Sequence, residues 1–178
     1  RYMQDYLACV QSIDDNVGRF LDFLKESGLE RDTIVVYTSD QGFFLGDHGL
    51  YDKRFMYEES LRMPLLVRWP AVARPGSQAE AMALNVDFAP TFLEAAGAKA
   101  HPDYPLDGMS LLKVLQDPQA TFARDLFWRM KYRAQRAVRS GDWKYFASED
   151  GEFLFNLAVD ARERANLAKR EPQRLAAL

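Results

Sequence analysis

Residues 38–54 read TSDQGFFLGDHGLYDKR, and they gather Asp40, Gln41, Asp47, His48, Asp52 and Lys53 around three glycines. Asp40 and Gln41 place a carboxylate and an amide oxygen side by side, the hard donors that Ca²⁺ or Mg²⁺ takes. Lys53, thirteen positions after Asp40, can set a cation against an anionic oxygen and stabilise charge that develops on it. Gly42 and Gly46 let the backbone turn sharply or come close to a ligand. The same residues have a plainer use. Asp-Gln-Gly at a strand end makes a turn through local side-chain bonds. His48 then becomes a hydrogen-bonded loop residue, and Glu58, Glu59 and Arg62 the solvated face of a short helix. Two oxygens also fall short of the roughly six to eight that Ca²⁺ takes.

The elements on either side decide where this loop sits. TIVVYT, residues 33–38, is short, β-branched and continuously apolar, which predicts a buried strand. In open α/β sheets ligands bind just beyond the carboxyl ends of such strands, and a buried strand fixes its first loop residue rigidly. Before it, Tyr6, Val10, Ile13, Val17, Phe20, Leu21 and Leu24 recur every three or four positions and predict an amphipathic helix over residues 4–27, ended by Gly28. After the loop, FMYEESLR reads as a short helix and PLLVRWP as a second strand bracketed by Pro64 and Pro70. NVDFAPTFLEAAG reads as a helix with Asp87 as N-cap, Pro90 in its first turn and Gly97 past its end. SLLKVLQD reads as another, capped by Ser110. From about residue 124 the pattern turns to three or four antiparallel strands, with turns at Ser140-Gly141-Asp142 and Glu149-Asp150-Gly151. The tail DARERANLAKREPQRLAAL is charged and helix-prone, and is expected to pack on one face of that sheet.

Composition narrows the function classes. The 178 residues are 48% hydrophobic and 28% charged, enough apolar mass for a core, with net charge −3 and pI near 5.5. This balance calls for neither nucleic acid nor an anionic membrane as partner, and no run reaches the length of a membrane span. Cys9 is the single cysteine, so no disulfide closes within the chain. The first residues, RYMQDYLACV, are already helical in pattern and lack an initiator Met, as in a piece of a longer protein.

The segment TIVVYTSDQGFFLGDHGLYDKRFMYEESLRMPLLVRWP resembles the sulfatases of the alkaline-phosphatase-like superfamily. So do YLACVQSIDDNVGRFLDFLKESGLERD before it and NVDFAPTFLEAAG, LDGMSLL, RAVRSGDWKY and LFNLAVDARERANLA after it, in the family order. The resemblance implies an α/β fold: the C-terminal part of an α/β/α sandwich over residues 1–123, and over 124–178 a small antiparallel-sheet subdomain with a C-terminal helix. It implies Asp40 and Gln41 as the later pair of ligands to a catalytic divalent metal, usually Ca²⁺, and Lys53 as a sulfate contact. His48, in the LGDHG portion typical of the bacterial branch, is either close behind that site or structural. The implied activity is hydrolysis of sulfate esters, of small molecules or carbohydrate, by metal-assisted attack of a formylglycine hydrate.

The chain departs from the family's pattern in lacking the formylglycine signature, the N-terminal Asp-Asp pair of metal ligands, and the arginine, lysine and histidines that the family draws from its first two-thirds. The formylglycine signature is Cys-x-(Pro/Ala)-x-Arg, whereas Cys9 sits in CVQSI within a helix and reads as a packing residue. The formylglycine is therefore expected upstream of this chain, with the first metal ligands, and the isolated fragment is expected not to turn over. Surface left uncovered by truncation is expected to favour self-association. A phosphonate monoester hydrolase or phosphodiesterase of the same superfamily, or a non-catalytic binding or assembly module, remain the alternatives. Trp128, Arg129, Lys131 and Tyr132 read as ordinary sheet-face residues, with a pocket rim as the other option.

Overall fold

The periodicity over residues 4–27 becomes helix α1, Tyr2–Glu26. Its end is closed by backbone bonds from Ser27, Gly28 and Leu29 to Phe23, Lys25 and Leu24, with Gly28 in the left-handed region at φ 72°. The structure is a computed structural model that describes residues 1–178. It divides into two compact units. The first comprises Arg1–Tyr37, Leu66–Glu80 and Val86–Gln119; the second comprises Thr38–Leu65, Ala81–Asn85 and Ala120–Leu178.

In the first unit, α1 buries only Leu24 of its apolar stripe and half-buries Tyr6 and Val17, while Val10, Ile13, Phe20 and Leu21 stay exposed. Cys9 is exposed as well, which corrects the packing role expected for it. The helix is amphipathic by sequence, but most of its apolar stripe is left uncovered in this chain. No helix is long and apolar enough to cross a membrane. Strands β1, Val35–Thr38, and β2, Leu65–Arg68, pair in a two-stranded sheet. β1 is half-buried rather than buried, with Tyr37 exposed, because a fully buried strand needs neighbours on both edges and cover on both faces. Arg68 ties back to Glu30, donating to its carboxylate at 2.6 Å and its carbonyl at 2.8 Å. Helix α3, Phe88–Ala95, follows a 3₁₀ turn at Asn85–Asp87. Asp87 occupies the N-cap place without capping. Its fully buried carboxylate instead accepts from Met109 N at 2.9 Å, and Thr91 Oγ1 accepts from Leu111 N at 2.9 Å. These bonds staple residues 109–111 to α3 and lead into α4, Leu112–Gln116, where Ser110 Oγ accepts from Leu112 N.

The second unit is built on one antiparallel sheet in sequential order: β3 Asp125–Met130, β4 Gln135–Ser140, β5 Trp143–Ser148 and β6 Gly151–Asn156. Gly141 and Gly151 turn at positive φ, 55° and 126°. The register sets Ala137 opposite Phe146, Phe146 opposite Phe153, and Arg139 opposite Lys144. The core joins Ala137, Phe146 and Phe155 to Met56, with Tyr57, Leu61 and Trp128 packed around them. Met56, Tyr57 and Leu61 flank or belong to helix α2, Glu58–Leu61, so this sheet face holds the chain that follows Lys53. Trp128 is thus a core neighbour.

The tail departs from the expected helix. Only Pro172–Ala176 is helical, as α5. Upstream, Asn166 accepts from Leu154 N and Ala168 N and donates to Glu152 O, while Leu167 N donates to Leu154 O at 2.8 Å. Asp160 accepts from Ala165 N. Side chains that bond nearby backbone compete with helix formation. Here they bind the tail along the edge of β6, which would otherwise stay open.

Candidate active site on the loop after the first strand

The loop that leaves β1 folds back on α2 and is fastened to it. Gly42 N donates to Ser60 O at 2.8 Å, and a Cβ at Gly42 would lie 2.0 Å from Glu59 O. Glycine is needed there for close approach to the chain's own backbone, not to a ligand. Farther along, Phe44 N donates to Asp52 O, and the fully buried Phe44 ring packs edge-on against His48, Phe55 and Tyr57. Gly46 turns the chain at φ 111°.

This fastening brings Asp40, Gln41 and Lys53 together. Lys53 Nζ lies 3.9 Å from Asp40 Oδ2; the two side chains are 51% and 85% exposed. Gln41 Nε2 donates to Lys53 O and, at 2.9 Å, to Ser60 Oγ, and Ser60 Oγ itself donates to Lys53 O at 2.6 Å. A carbonyl only accepts, so the amide nitrogen of Gln41 must face Lys53 and its Oε1 is left out of both bonds. Asp52 shapes the chain beside Lys53: it accepts from Lys53 N and pairs with Arg54 at 2.6 Å. Those Arg54 hydrogen bonds, with that of the Lys53 amide, hold the Asp52 carboxyl down at about 2.

His48 goes elsewhere. It adopts φ 53°, stacks on Tyr57 with ring centroids 4.0 Å apart, and sets Nε2 3.4 Å from Glu59 Oε2. With Leu45, Gly46, Asp47 and Glu59 it lines a cleft of about 430 Å³ to which the tail contributes Arg162 and Arg164. Burial, with the Glu163, Asp150 and Glu59 carboxylates adding to it, pushes the Tyr57 hydroxyl up to about 12.

Behind α2 lies a charge cluster that the sequence reading missed. Glu58 and Glu59 are no solvated face: their side chains are only 12% and 18% exposed. Lys144 Nζ, wholly buried, sits 3.0 Å from Glu58 and 2.9 Å from Glu163, and Arg139 pairs with Glu58 at 3.2 Å. Glu163 also accepts from Glu58 N at 2.6 Å, capping α2 from 105 residues away. Burial holds the Glu163 carboxyl above its usual range, opposed by Lys144. One signal was available. In WKYF, strand alternation puts Lys144 on the face of Phe146, so an inward lysine needs carboxylates.

Asp40 and Gln41 Oε1 fit part of a hard-cation shell: both are oxygen donors and adjacent, Gln41 Oε1 lies outside the amide's bonds to the loop, and Asp40 has only Ser39 Oγ at 3.4 Å and Lys53 Nζ at 3.9 Å beside it. Nowhere do three or more His, Cys, Asp or Glu side chains gather as a complete metal site. The residues present therefore suit a cation that draws further ligands from outside them.

A family described as N-sulphoglucosamine sulphohydrolase, C-terminal, matches residues 46–176. An N-acetylglucosamine-6-O-sulfatase of Bacteroides thetaiotaomicron is 43% identical over 183 residues, covering 94% of this chain and 32% of that protein. A choline-sulfatase of Rhizobium meliloti is 32% identical, covering 95% and 33%. A structure solved in complex with D-glucosamine-2-N,6-O-disulfate superposes with a TM-score of 0.87 at 38% identity, over 99% of this chain and 39% of that one. The chain thus spans about a third of the length of the relatives it matches. A likeness of that extent in both sequence and backbone means that the chain belongs to the sulfatase family and carries the C-terminal portion of its alkaline-phosphatase-like fold.

Proposed function

We propose that this chain supplies the C-terminal side of the active centre of a sulfatase that hydrolyses sulfate esters of carbohydrate. One observation carries the reading. Gln41, Ser60 and Gly42 lock the loop so that the Lys53 ammonium stands 3.9 Å from Asp40. The three polar groups thus form one pre-set cluster at the end of a strand.

In this reading Asp40 and the Oε1 of Gln41 hold Ca²⁺, and Lys53 binds a sulfuryl oxygen of the ester. Ca²⁺ would polarise the ester and stabilise negative charge on the sulfuryl oxygens. Lys53 adds a second positive charge to those oxygens and orients the group, and Ser60 keeps Lys53 from drifting by holding its carbonyl. The nucleophile, a formylglycine, lies upstream of these residues, since Cys9 is a helix residue without the formylglycine context. The likeness to the Bacteroides N-acetylglucosamine-6-O-sulfatase and to the disulfated-glucosamine complex supports a sulfated sugar as substrate.

The test uses the full-length parent. Lys53→Ala is expected to lower kcat on a sulfated sugar by roughly 10²–10³-fold. Asp40→Asn and Gln41→Ala are expected to weaken Ca²⁺ binding, with activity partly restored at higher Ca²⁺. Near-wild-type turnover by the Lys53 variant, or faster turnover of matched phosphate esters by the parent, overturns the reading. The 178-residue chain alone is expected to release no sulfate from an aryl sulfate in excess Ca²⁺, and to bind Ca²⁺ weakly by calorimetry.

A further inference from the structure

The cleft beside His48 has chemistry that the catalytic reading leaves unused. Its walls are Gly46, Asp47 and His48 from the loop, Glu59 from α2, and Arg162 and Arg164 from the tail. Three features point to a ligand. Glu59 Oε2 is buried and accepts no hydrogen bond, with His48 Nε2 3.4 Å away. A buried carboxylate oxygen without a donor calls for one. Arg162 and Arg164 are both exposed, as several other unpaired surface arginines are, and what sets them apart is that they line one cleft together with Glu59. Two unpaired guanidinium groups on one cleft suit a carboxylate or sulfate, which they can grip in a fork. Finally, at about 430 Å³ the cleft is within the range of small-molecule sites.

The tail is held in place to present these arginines. Glu163, between them, is buried against Lys144 and caps α2. With Glu163 turned inward at φ 51°, its two neighbours remain exposed on the cleft side.

We propose that this cleft is a binding subsite for an acidic sugar residue, with Glu59 accepting from a ring hydroxyl and Arg162 and Arg164 holding the sugar's carboxylate or sulfate. That the hydroxyl-bearing anion is a sugar rests on the sulfatase reading; the placing of Glu59 with Arg162 and Arg164 on one cleft does not. The subsite is separate in composition from Asp40, Gln41 and Lys53, so it would read the glycan around the sulfate that is cut.

The experiment is calorimetric or NMR titration of the 178-residue chain with D-glucuronate, D-glucose 6-sulfate, neutral D-glucose and inorganic sulfate. Both acidic sugars are expected to bind at least tenfold tighter than glucose and than inorganic sulfate, and the tighter of the two identifies the anion preferred. Arg162→Gln and Arg164→Gln, both at exposed positions, are each expected to weaken acidic-sugar binding by about tenfold or more, with unchanged circular dichroism. Glu59→Gln is expected to weaken it while leaving the preference for acid over neutral sugar in place. Equal binding of glucose and glucuronate overturns the proposal. So does inorganic sulfate binding as tightly as the acidic sugars, or arginine variants that bind like wild type. No turnover enters these measurements, so their failure leaves the sulfatase reading standing, and an inactive parent leaves them intact.

Discussion

Replacing Lys144 with Met tests whether the buried charges behind α2 hold the site-bearing loop in place. Lys144 is wholly buried, with carboxylate oxygens at 3.0 Å from Glu58 and 2.9 Å from Glu163. At an effective dielectric of about 20, each contact represents roughly 5 kcal/mol of gross attraction, most of it offset by the desolvation of all three groups. The variant loses the attraction and keeps two carboxylates out of water, a change that costs about 3–5 kcal/mol. For a chain of this length that corresponds to a fall in Tm of roughly 6–20 °C. Urea and thermal unfolding followed through Trp128 and Trp143 of the four-stranded sheet give the number directly. The triple variant Lys144→Met, Glu58→Gln, Glu163→Gln is expected to recover more than half of the loss. It removes both carboxylates that Lys144 neutralised, leaves Arg139 at 25% exposure to be solvated, and lets a glutamine at 163 still accept from the backbone N of residue 58. Acidity sharpens the test. Burial holds the Glu163 carboxyl above its ordinary 4.5. Its contribution to stability is therefore complete below that value and declines as pH rises through the raised folded value. Removing Lys144, which opposes that shift, moves the decline to higher pH. The deficit of the single variant is therefore expected to shrink between pH 7 and pH 5. A single variant within about 1 kcal/mol of wild type, or a triple variant no more stable than the single, refutes the reasoning.

Gly42→Ala sets a methyl 2.0 Å from Glu59 O; it is expected to cost about 1–3 kcal/mol or more in urea unfolding. Gly18→Ala, with open space around it in α1, is expected to be neutral or stabilising by up to about 1 kcal/mol, so equal effects would contradict the close-approach argument. The Tyr57 hydroxyl, pushed up to about 12 by burial, contributes stability that is complete below 10 and is lost as pH rises toward 12. The absorbance titration of wild type minus Tyr57→Phe should show its tyrosinate step well above 10, and a step near 10 would contradict the burial argument. The exposed stripe of α1 predicts concentration-dependent association of this chain in sedimentation velocity, reduced by Val10→Glu with Ile13→Glu, both at exposed positions. Monomer at all concentrations would show that the stripe does not drive association.

The amino-acid sequence by itself determined the parts that depend on neighbours close along the chain. The three-and-four spacing from Tyr6 to Leu24 and the glycine after it set α1. The apolar run before Asp40 set β1, and Gly141 and Gly151 set the hairpins of the sheet. The order Asp40, Gln41, Lys53 left a site and a plain turn both open, and the resemblance of the surrounding segments nominated the site. Only the tertiary structure decided what distant segments do to one another. The tail has the composition of a helix, yet Asn166 finds partners along β6 and Asp160 takes the amide of Ala165 within the tail, bonds that compete with a helix. Cys9 and the stripe around it have the pattern of a packed face, but cover depends on a partner element, which periodicity does not supply. Glu58 looked solvated until the β4–β5 register placed Arg139 and Lys144 against it, 81 and 86 residues away. His48 left Asp40 for Glu59 and Tyr57 and for a cleft shared with Arg162 and Arg164. Local backbone preference acts over one turn of chain, whereas burial and charge pairing act over a few ångströms of space, and the fold alone converts one distance into the other.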